Sequence, residues 1–562
     1  MVCKAEDLKL GRFVALKFLL LGDVSDPQMK TTTRFVIQSV GAGFKMQILA
    51  VISTVNHENP RTESLLFGIQ TSKPREAAKE VSMRKFNLCK KMFLASVFCA
   101  VGVIASPAQT FTTLHSFDFT DGAYPLGVVV QTSNGSLYGT TYGGAKGYGT
   151  VFKITPSGTL STLHSFAGTD GEWPYGGLVQ ATSGNLYGGA SYGGSEGYGT
   201  VFEITLSGAL TTLHSFDATD GAYPVAGVVQ ATNGNFYGTT ANGGANGTDT
   251  GTVFKITPGG TLTSLYSFCS ESGCPDGTHP NAALIQATNG DLYGTTCGTG
   301  PEFACNGSGP GTVFKITPGG TLTTLYSFCS QGSCADGEYP TAALVQATNG
   351  DFYGTTSQGG TNAYGTVFKI TPGGKLTTLY NFCSQTGCAD GAYPVAGLVQ
   401  ATDGNFYGET YGGGAHGYGS VFKITPGGTL TSLYSFCSQS GCPDGANPSL
   451  GGLAQDTNGT FYGTTFYGGA NGYGTVFSLS VGLGPFVETT PTSGQVGAKV
   501  VILGTSLKGT TSVSFNGTSA TFTVNSTGTA ITTTVPSGAT TGYVEVMTPT
   551  RTLTSNVKFR VP

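Results

Sequence analysis

The sequence predicts an all-β protein: a seven-bladed β-propeller closed by an N-terminal strand, followed by an immunoglobulin-like β-sandwich. Three observations carry this. A phrase that at its fullest reads G-T-V-F-K-I-T-P-G-G-T-L-T-T-L-Y-S-F recurs seven times, its Val-Phe pair falling at Val151, Val201, Val253, Val313, Val367, Val421 and Val476, 50 to 60 residues apart. Each period holds four short strand-like runs, the mark of a radial or stacked array rather than of one compact domain. The repeat region also opens with a copy of the fourth run, the piece its last repeat lacks.

The third repeat shows the elements in order. Residues 225–232, V-A-G-V-V-Q-A-T, form strand a, and Asn233-Gly234 is a tight-turn pair. Residues 236–240, F-Y-G-T-T, form strand b, and a glycine-rich loop runs on to Gly251. Residues 252–257 form strand c, Pro258-Gly259-Gly260 turns the chain, and residues 261–268 form strand d. Apolar and polar residues alternate in strands c and d, as in a half-buried strand. A longer loop with Asp276-Gly277 leads to Pro280 and the next strand a. Strands a, b and c occur seven times and strand d six times; the unpaired copy, T-F-T-T-L-H-S-F, stands at residues 110–117. In a ring this copy completes the last blade and leaves no exposed edge between first and last units. Residues 109–481 are assigned to the propeller. A β-solenoid, the alternative, usually has shorter repeats and needs caps.

With L-V-Q-A-T-N-G-N-F-Y-G-T-T, then G-G-A, G-T-V-F-K-I-T-P-G-G-T-L-T-T-L-Y-S-F and D-G-A-Y-P on the page, the repeat resembles the bacterial GloVer (Gloeo/Verruco) tandem repeat. That resemblance covers about two-thirds of the chain. It implies export and varied C-terminal surface anchors, and it implies no reaction. This chain departs from it by reaching Pro562 without an obvious anchor helix.

After Gly484 the period stops. Residues 485–562 read as short alternating strands with Gly, Pro and Asn-Gly turns, which suits an immunoglobulin-like sandwich. P-T-S-G-Q-V-G, V-S-F-N-G-T-S-A and V-P-S-G-A-T-T-G make this segment similar to the IPT/TIG domain. In exported bacterial proteins that resemblance implies a spacer or adhesive module.

Residues 83–108 read as a secretory signal peptide. Met83-Arg84-Lys85 and Lys90-Lys91 supply positive charge, residues 92–105 an apolar run, and Ser106-Pro107-Ala108 small residues for cleavage. Residues 1–82 show no repeat and no sustained periodicity, and are expected to be a non-native or disordered leader. Lys79-Glu80-Val81 is encodable by a ribosome-binding sequence just before the Met83 codon, which makes Met83 the expected start. The mature chain is expected to have no membrane span.

Charge divides along the chain. Residues 1–108 hold 15 Lys+Arg and 8 Asp+Glu; the remainder holds 12 and 23, a balance of about −11. An acidic chain with scattered cations is a poor partner for phosphate backbones, so nucleic acid is excluded as a partner. Ten cysteines fall in local pairs, Cys269/Cys274, Cys297/Cys305, Cys329/Cys334, Cys383/Cys388 and Cys437/Cys442. Local disulfides are the reading outside a reducing cytosol. Zinc would need four converging ligands, and most of the pairs have no His beside them. No metal, no cofactor and a monomer are expected.

The long b–c and d–a loops share one face, and loops held by a rigid scaffold are where binding concentrates. Candidate ligand-binding residues there are Trp173 with Tyr142, Tyr148, Tyr192, Tyr198, Tyr364, Tyr411, Tyr418 and Tyr473, joined by Asp121, Asp170 and Asp220. Tyr467 belongs to the same loops. Rings stack on apolar sugar faces while carboxylates accept hydroxyl hydrogen bonds. The competing reading is structural: Asp-Gly is turn chemistry, and loop Tyr packs on its own strand. Seven Gln in strand a, from Gln131 to Gln455, are expected to bond between blades, and His115, His164 and His214 to pack. Glu409, in a Thr position, and His416 break the symmetry, yet no catalytic constellation emerges. The function read from sequence is an exported, non-catalytic scaffold for a carbohydrate or a surface protein. A polysaccharide hydrolase or lyase and a cell-surface spacer are the alternatives.

Overall fold

The computed structural model describes residues 109–298, 309–448 and 450–562, together with the backbone of four strands nearer the N-terminus. The chain divides into two units, residues 1–104 and 105–562. In the first, Ala5–Leu10, Phe13–Leu19, Thr31–Gln38 and Gln47–Thr54 pair as an antiparallel meander in chain order. Thr31–Gln38, T-T-T-R-F-V-I-Q, is rich in β-branched residues, the strand signal that a search for periodicity passed over. The expected signal peptide lies outside the described residues. Among the described residues no helix is long and apolar enough to cross a membrane.

The second unit is all-β, with two short 3-10 turns, Gly332–Cys334 and Thr386–Cys388. In the third repeat, strand a is Val229–Gln230, b is Phe236–Thr240, c is Thr252–Ile256 and d is Leu262–Ser267, paired antiparallel in that order. The second to sixth repeats each form such a four-stranded sheet. In the seventh, Thr475–Ser480 pairs with Thr110–Ser116, so the first strand of the repeat region supplies the last repeat's strand d.

Strand a is two residues long rather than the eight expected. The residues before it lie where neighbouring repeats bring their backbones together: a Cβ on Gly176 would collide with the backbone of Ala226 and Gly227. These residues pack on the next repeat instead of extending their own ladder.

Strand b is buried along its whole length because other sheets cover both faces. Its glycine makes room for the strand c phenylalanine; a Cβ on Gly354 would lie 2.6 Å from the Phe368 ring. Seven apolar clusters join successive sheets. One joins Tyr237, Val253 and Phe268 to Leu284, Leu292 and Phe314 of the next repeat, and another joins Tyr462 and Val476 of the last repeat to Phe117, Val129 and Phe152.

The strand a glutamines tie the sheets together as expected. Gln180 Oε1 accepts from the Ser133 N–H, Gln230 from Thr182, Gln286 from Thr232, Gln346 from Thr288, Gln400 from Thr348 and Gln455 from Thr402. Gln131 accepts from Thr457, which returns the series to the first repeat.

After the repeats come two four-stranded sheets that share a core of Val500, Ile502, Phe515, Ile531, Val546 and Phe559. One runs Val487–Thr490, Lys499–Gly504, Ala530–Thr534, Phe522–Val524; the other runs Thr518–Ser519, Ser512–Phe515, Val544–Met547, Thr552–Thr554. This sandwich sits on the a–b turns. Asn525 Nδ2 and Thr529 Oγ1 donate to the Ser133 carbonyl at 2.9 and 2.7 Å, Phe486 N–H donates to Thr457, and Arg560 donates to Thr288. At the joint, burial pushes Asp456 up to about 6, and burial with the nearby Asp456 pushes Glu488 up to about 7.

Candidate functional site: the long-loop face

Each long d–a loop is held by its Asp. In the first three, the carboxylate is bonded to a strand d histidine: His115 Nε2–Asp121 at 2.7 Å, His164–Asp170 at 2.8 Å and His214–Asp220 at 2.7 Å. In the last four, a tyrosine hydroxyl donates instead, from Tyr266, Tyr326, Tyr380 and Tyr434 to Asp276, Asp336, Asp390 and Asp444, at 2.7 to 2.8 Å. The histidines also pack edge-on against Phe117, Phe166 and Phe216. Asp121, Asp170 and Asp220 further accept a backbone N–H of their own loop, from Asp118, Ala167 and Asp217. Their carboxylates are thus engaged within the scaffold.

The last four loops carry the disulfides Cys269–Cys274, Cys329–Cys334, Cys383–Cys388 and Cys437–Cys442. Cys297 is also disulfide-bonded, and Cys305 lies outside the described residues. Cys329, Cys334 and Glu338 stand within metal-ligand distance of one another, but both sulfurs are committed to their disulfide.

The residue before each loop proline takes a left-handed backbone: Tyr124, Trp173, Tyr223, His279, Tyr339, Tyr393 and Asn447 have φ between 54° and 59°. A non-glycine residue is strained there by about 1–3 kcal/mol and persists only where its surroundings hold it. The preceding b–c loop does so. Trp173 N–H donates to the Tyr148 carbonyl, Tyr223 to Tyr198, Tyr393 to Tyr364, Asn447 to Tyr418 and Tyr124 to Tyr473. One recurrent role of these b–c loop tyrosines is therefore played by the main chain.

The rings form a crescent. Phe466 lies 4.6 Å from Tyr467 and 5.1 Å from Tyr124; Tyr124 is 6.5 Å from Tyr142, which is 5.2 Å from Trp173 and stacks on Tyr175 at 5.4 Å. Trp173 continues to Tyr192 at 4.9 Å, and Tyr192 to Tyr223 at 4.5 Å, with Tyr198 at 6.2 Å from Tyr223. Tyr473 joins through Tyr124. Burial, with Tyr467 nearby, raises the Tyr411 hydroxyl. Tyr364 pairs with Tyr393 outside the crescent. Tyr148 and Tyr418 are exposed. Tyr124, Tyr175, Tyr223 and Phe466 were missed from the sequence. Tyr124 and Tyr223 occupy the slot of Trp173, the residue before proline, and that shared slot was the available signal.

Where the crescent curves inward, residues from all seven repeats line a cavity of about 140 Å³. Leu126, Tyr175, Val225 and Leu450 belong both to its wall and to the apolar cluster under the crescent. Asn281 and Thr341 supply polar side chains to the wall.

Glu409 does not reach this face. Four equivalent threonines, Thr140, Thr239, Thr295 and Thr355, donate to a carbonyl of the next repeat at 3.0 to 3.3 Å. Glu409 is 1% exposed in that slot, with neither carboxyl oxygen hydrogen-bonded, and burial holds its pKa well above the usual carboxylate range. His416 is exposed on its loop.

The sequence model of the Gloeobacter/Verrucomicrobia repeat matches residues 101–307 and 304–529. The chain belongs to this repeat family. No curated protein matches it in sequence. Among solved structures it is similar to a provisionally assigned 6-phosphogluconolactonase from Bacteroides uniformis (21% identity, 57% of this chain and 84% of that one, TM-score 0.38). It is also similar to a polysaccharide lyase described as a PL25 ulvan lyase (10% identity, 64% and 94%, TM-score 0.38). A third is the dipeptidyl peptidase 4 of Porphyromonas gingivalis (9% identity, 79% and 60%, TM-score 0.32).

Proposed function

We propose that residues 109–481 form a closed seven-bladed β-propeller, that residues 485–562 are an immunoglobulin-like domain of the IPT/TIG kind, and that the protein is an exported, non-catalytic scaffold that binds carbohydrate on its long-loop face. The ring is supported by the strand at residues 110–116 in the seventh sheet and by the returning series of glutamine bonds. Export is supported by the disulfides, which persist outside a reducing cytosol. Residues 83–108 are the signal peptide and Met83 the start; peptides from residues 1–82 in mass spectra of the secreted protein would refute this.

The aromatic crescent carries the carbohydrate reading. Its rings lie side by side in stacked, tilted and edge-on contacts, with Tyr467 43% exposed and Tyr411, near it, 38% exposed. Rings of this kind stack on the apolar faces of sugars, and their polar tips bond hydroxyls. A glycan array probed with the secreted chain tests it: binding to a plant or bacterial polysaccharide is expected, with at least tenfold loss in Trp173→Ala and Tyr192→Ala. Silence across the array would leave the spacer or a protein partner as the function.

A further inference from the structure

We propose that the axial cavity is a subsite for one terminal six-membered sugar ring, so that the protein recognises the end of an uncharged glycan chain. This rests on the carbohydrate reading above. Four observations lead to it.

The first is size. A cavity of about 150 Å³ takes up one benzene-sized ring, and this one measures about 140 Å³. A space of this size admits one six-membered ring, with its hydroxyls reaching the polar wall or the open mouth, and does not enclose two.

The second is its two-sided wall. Leu126, Tyr175, Val225 and Leu450 make one arc apolar, while Asn281 and Thr341 supply the other with polar atoms. A pyranose has the same division between its C–H face and its hydroxyls.

The third is the sense of the polar groups. Asn281 Oδ1 is buried with no hydrogen-bond partner, while its Nδ2 donates to Cys297 Sγ at 3.6 Å. Thr341 donates its proton to the Val395 carbonyl at 3.3 Å, leaving its oxygen as an acceptor. A buried acceptor without a donor is costly, and a ligand hydroxyl relieves it. No Lys or Arg lines the cavity, so a carboxylate, sulfate or phosphate has no counter-charge there.

The fourth is that the crescent continues into the cavity from one end and the sandwich docks on the turns at the other. Four wall residues continue into the cluster beneath Tyr142, Trp173 and Tyr192, so a chain lying on the crescent runs into the cavity. At the opposite end the sandwich bonds to the a–b turns of the first, fourth and seventh repeats, at Ser133, Thr288 and Thr457. In a seven-membered ring these turns lie on opposing sides of the axis. With the sandwich docked there, the proposed ligand enters by its end rather than threading through.

The test is calorimetry on the full secreted chain with maltohexaose, cellohexaose, xylohexaose and mannohexaose, each native and with both ends blocked (reducing end as the alditol, non-reducing end carrying a cyclic acetal). At least one native hexaose is expected to bind, with tenfold or greater weakening on blocking. Asn281→Ala is expected to weaken the native sugar by a similar factor, and Trp173→Ala to weaken native and blocked sugars alike. Equal affinity for native and blocked sugars, with Trp173→Ala still weakening both, would overturn chain-end recognition and leave the crescent reading standing. Binding by none of the hexaoses, native or blocked, would overturn both. The blocked sugars act on the unmodified protein, so equal affinity for native and blocked sugars overturns chain-end recognition however the variants fold.

Discussion

The first three long loops and the last four solve one problem in two ways. All set an Asp before Gly beneath the loop, part-buried in the first three and buried in the last four, and satisfy it from strand d. The short loops span six residues from His164 to Asp170 and use an imidazole; the long ones span ten, from Tyr380 to Asp390, and use a phenol. The four added residues bring the disulfide and a serine whose N–H and hydroxyl also bond the carboxylate, as Ser384 does for Asp390. In both, the strand d ring stands edge-on to the phenylalanine two residues later, His164 on Phe166 and Tyr380 on Phe382. Loop length, ring and disulfide therefore change together, and the acid stays. The lesson is that these Asp are anchors of the scaffold, and that the proposed binding rests on the aromatic groups the anchored loops hold up.

The strongest way to sharpen this contrast is reduction. Each bridge closes a very short loop and stabilises by about 2 kcal/mol in the chain-entropy model. Reducing the disulfides is expected to speed amide hydrogen exchange in the last four loops and around Cys297, and leave the first three loops unchanged; uniform acceleration would refute a local role. Next comes removal of the anchor. Asp390→Ala strands a phenol, a hydroxyl and two N–H donors at a fully buried position, for an expected loss of about 3 kcal/mol. Asp170→Ala, at a 24% exposed side chain, is expected to cost about 1 kcal/mol. Equal losses in urea unfolding would break the distinction.

Acid titration gives a third comparison. Burial raises Asp390, but the bonds from Tyr380, Ser384 and Gln385 outweigh it and hold its pKa below the ordinary value. A carboxylate lowered on folding stabilises above its unfolded pKa and loses that contribution as pH falls through the folded one. The fifth repeat's loop is therefore expected to loosen only below about pH 4. Asp456 and Glu488 have the opposite sign. Raised to about 6 and about 7, they make the joint with the sandwich less stable as pH rises from about 4.5 through 7. Melting of the full chain is expected at lower temperature at pH 8 than at pH 5.5, with the difference reduced in Asp456→Asn; no reduction would remove Asp456 from the account. The smallest effect is His164→Tyr, about 1 kcal/mol, because a phenol overreaches the short loop. A neutral result would show that ring and loop length are independent.

The strands, turns, glycine positions and bridging glutamines were legible because repetition writes each one many times over. Strand count alone placed residues 110–117 beside the last repeat. The first unit's strands, written once and without alternation, were not legible. In the loops, sequence named residue types without deciding their contacts. Asp-Gly reads as a turn or as a ligand until the bond from His or Tyr decides, and Trp173 looked alone until Tyr124 and Tyr223 proved to share its slot.

What the chain's order of residues determined is local: period 2 alternation, tight turns and cysteine spacing act within a few residues, so a linear reading reaches them. Only the tertiary structure decided which rings meet in the crescent, that Glu409 faces inward, and that residues from seven repeats enclose one cavity. Those are contacts between segments tens to hundreds of residues apart, set by how the sheets pack, and no short window of sequence contains them.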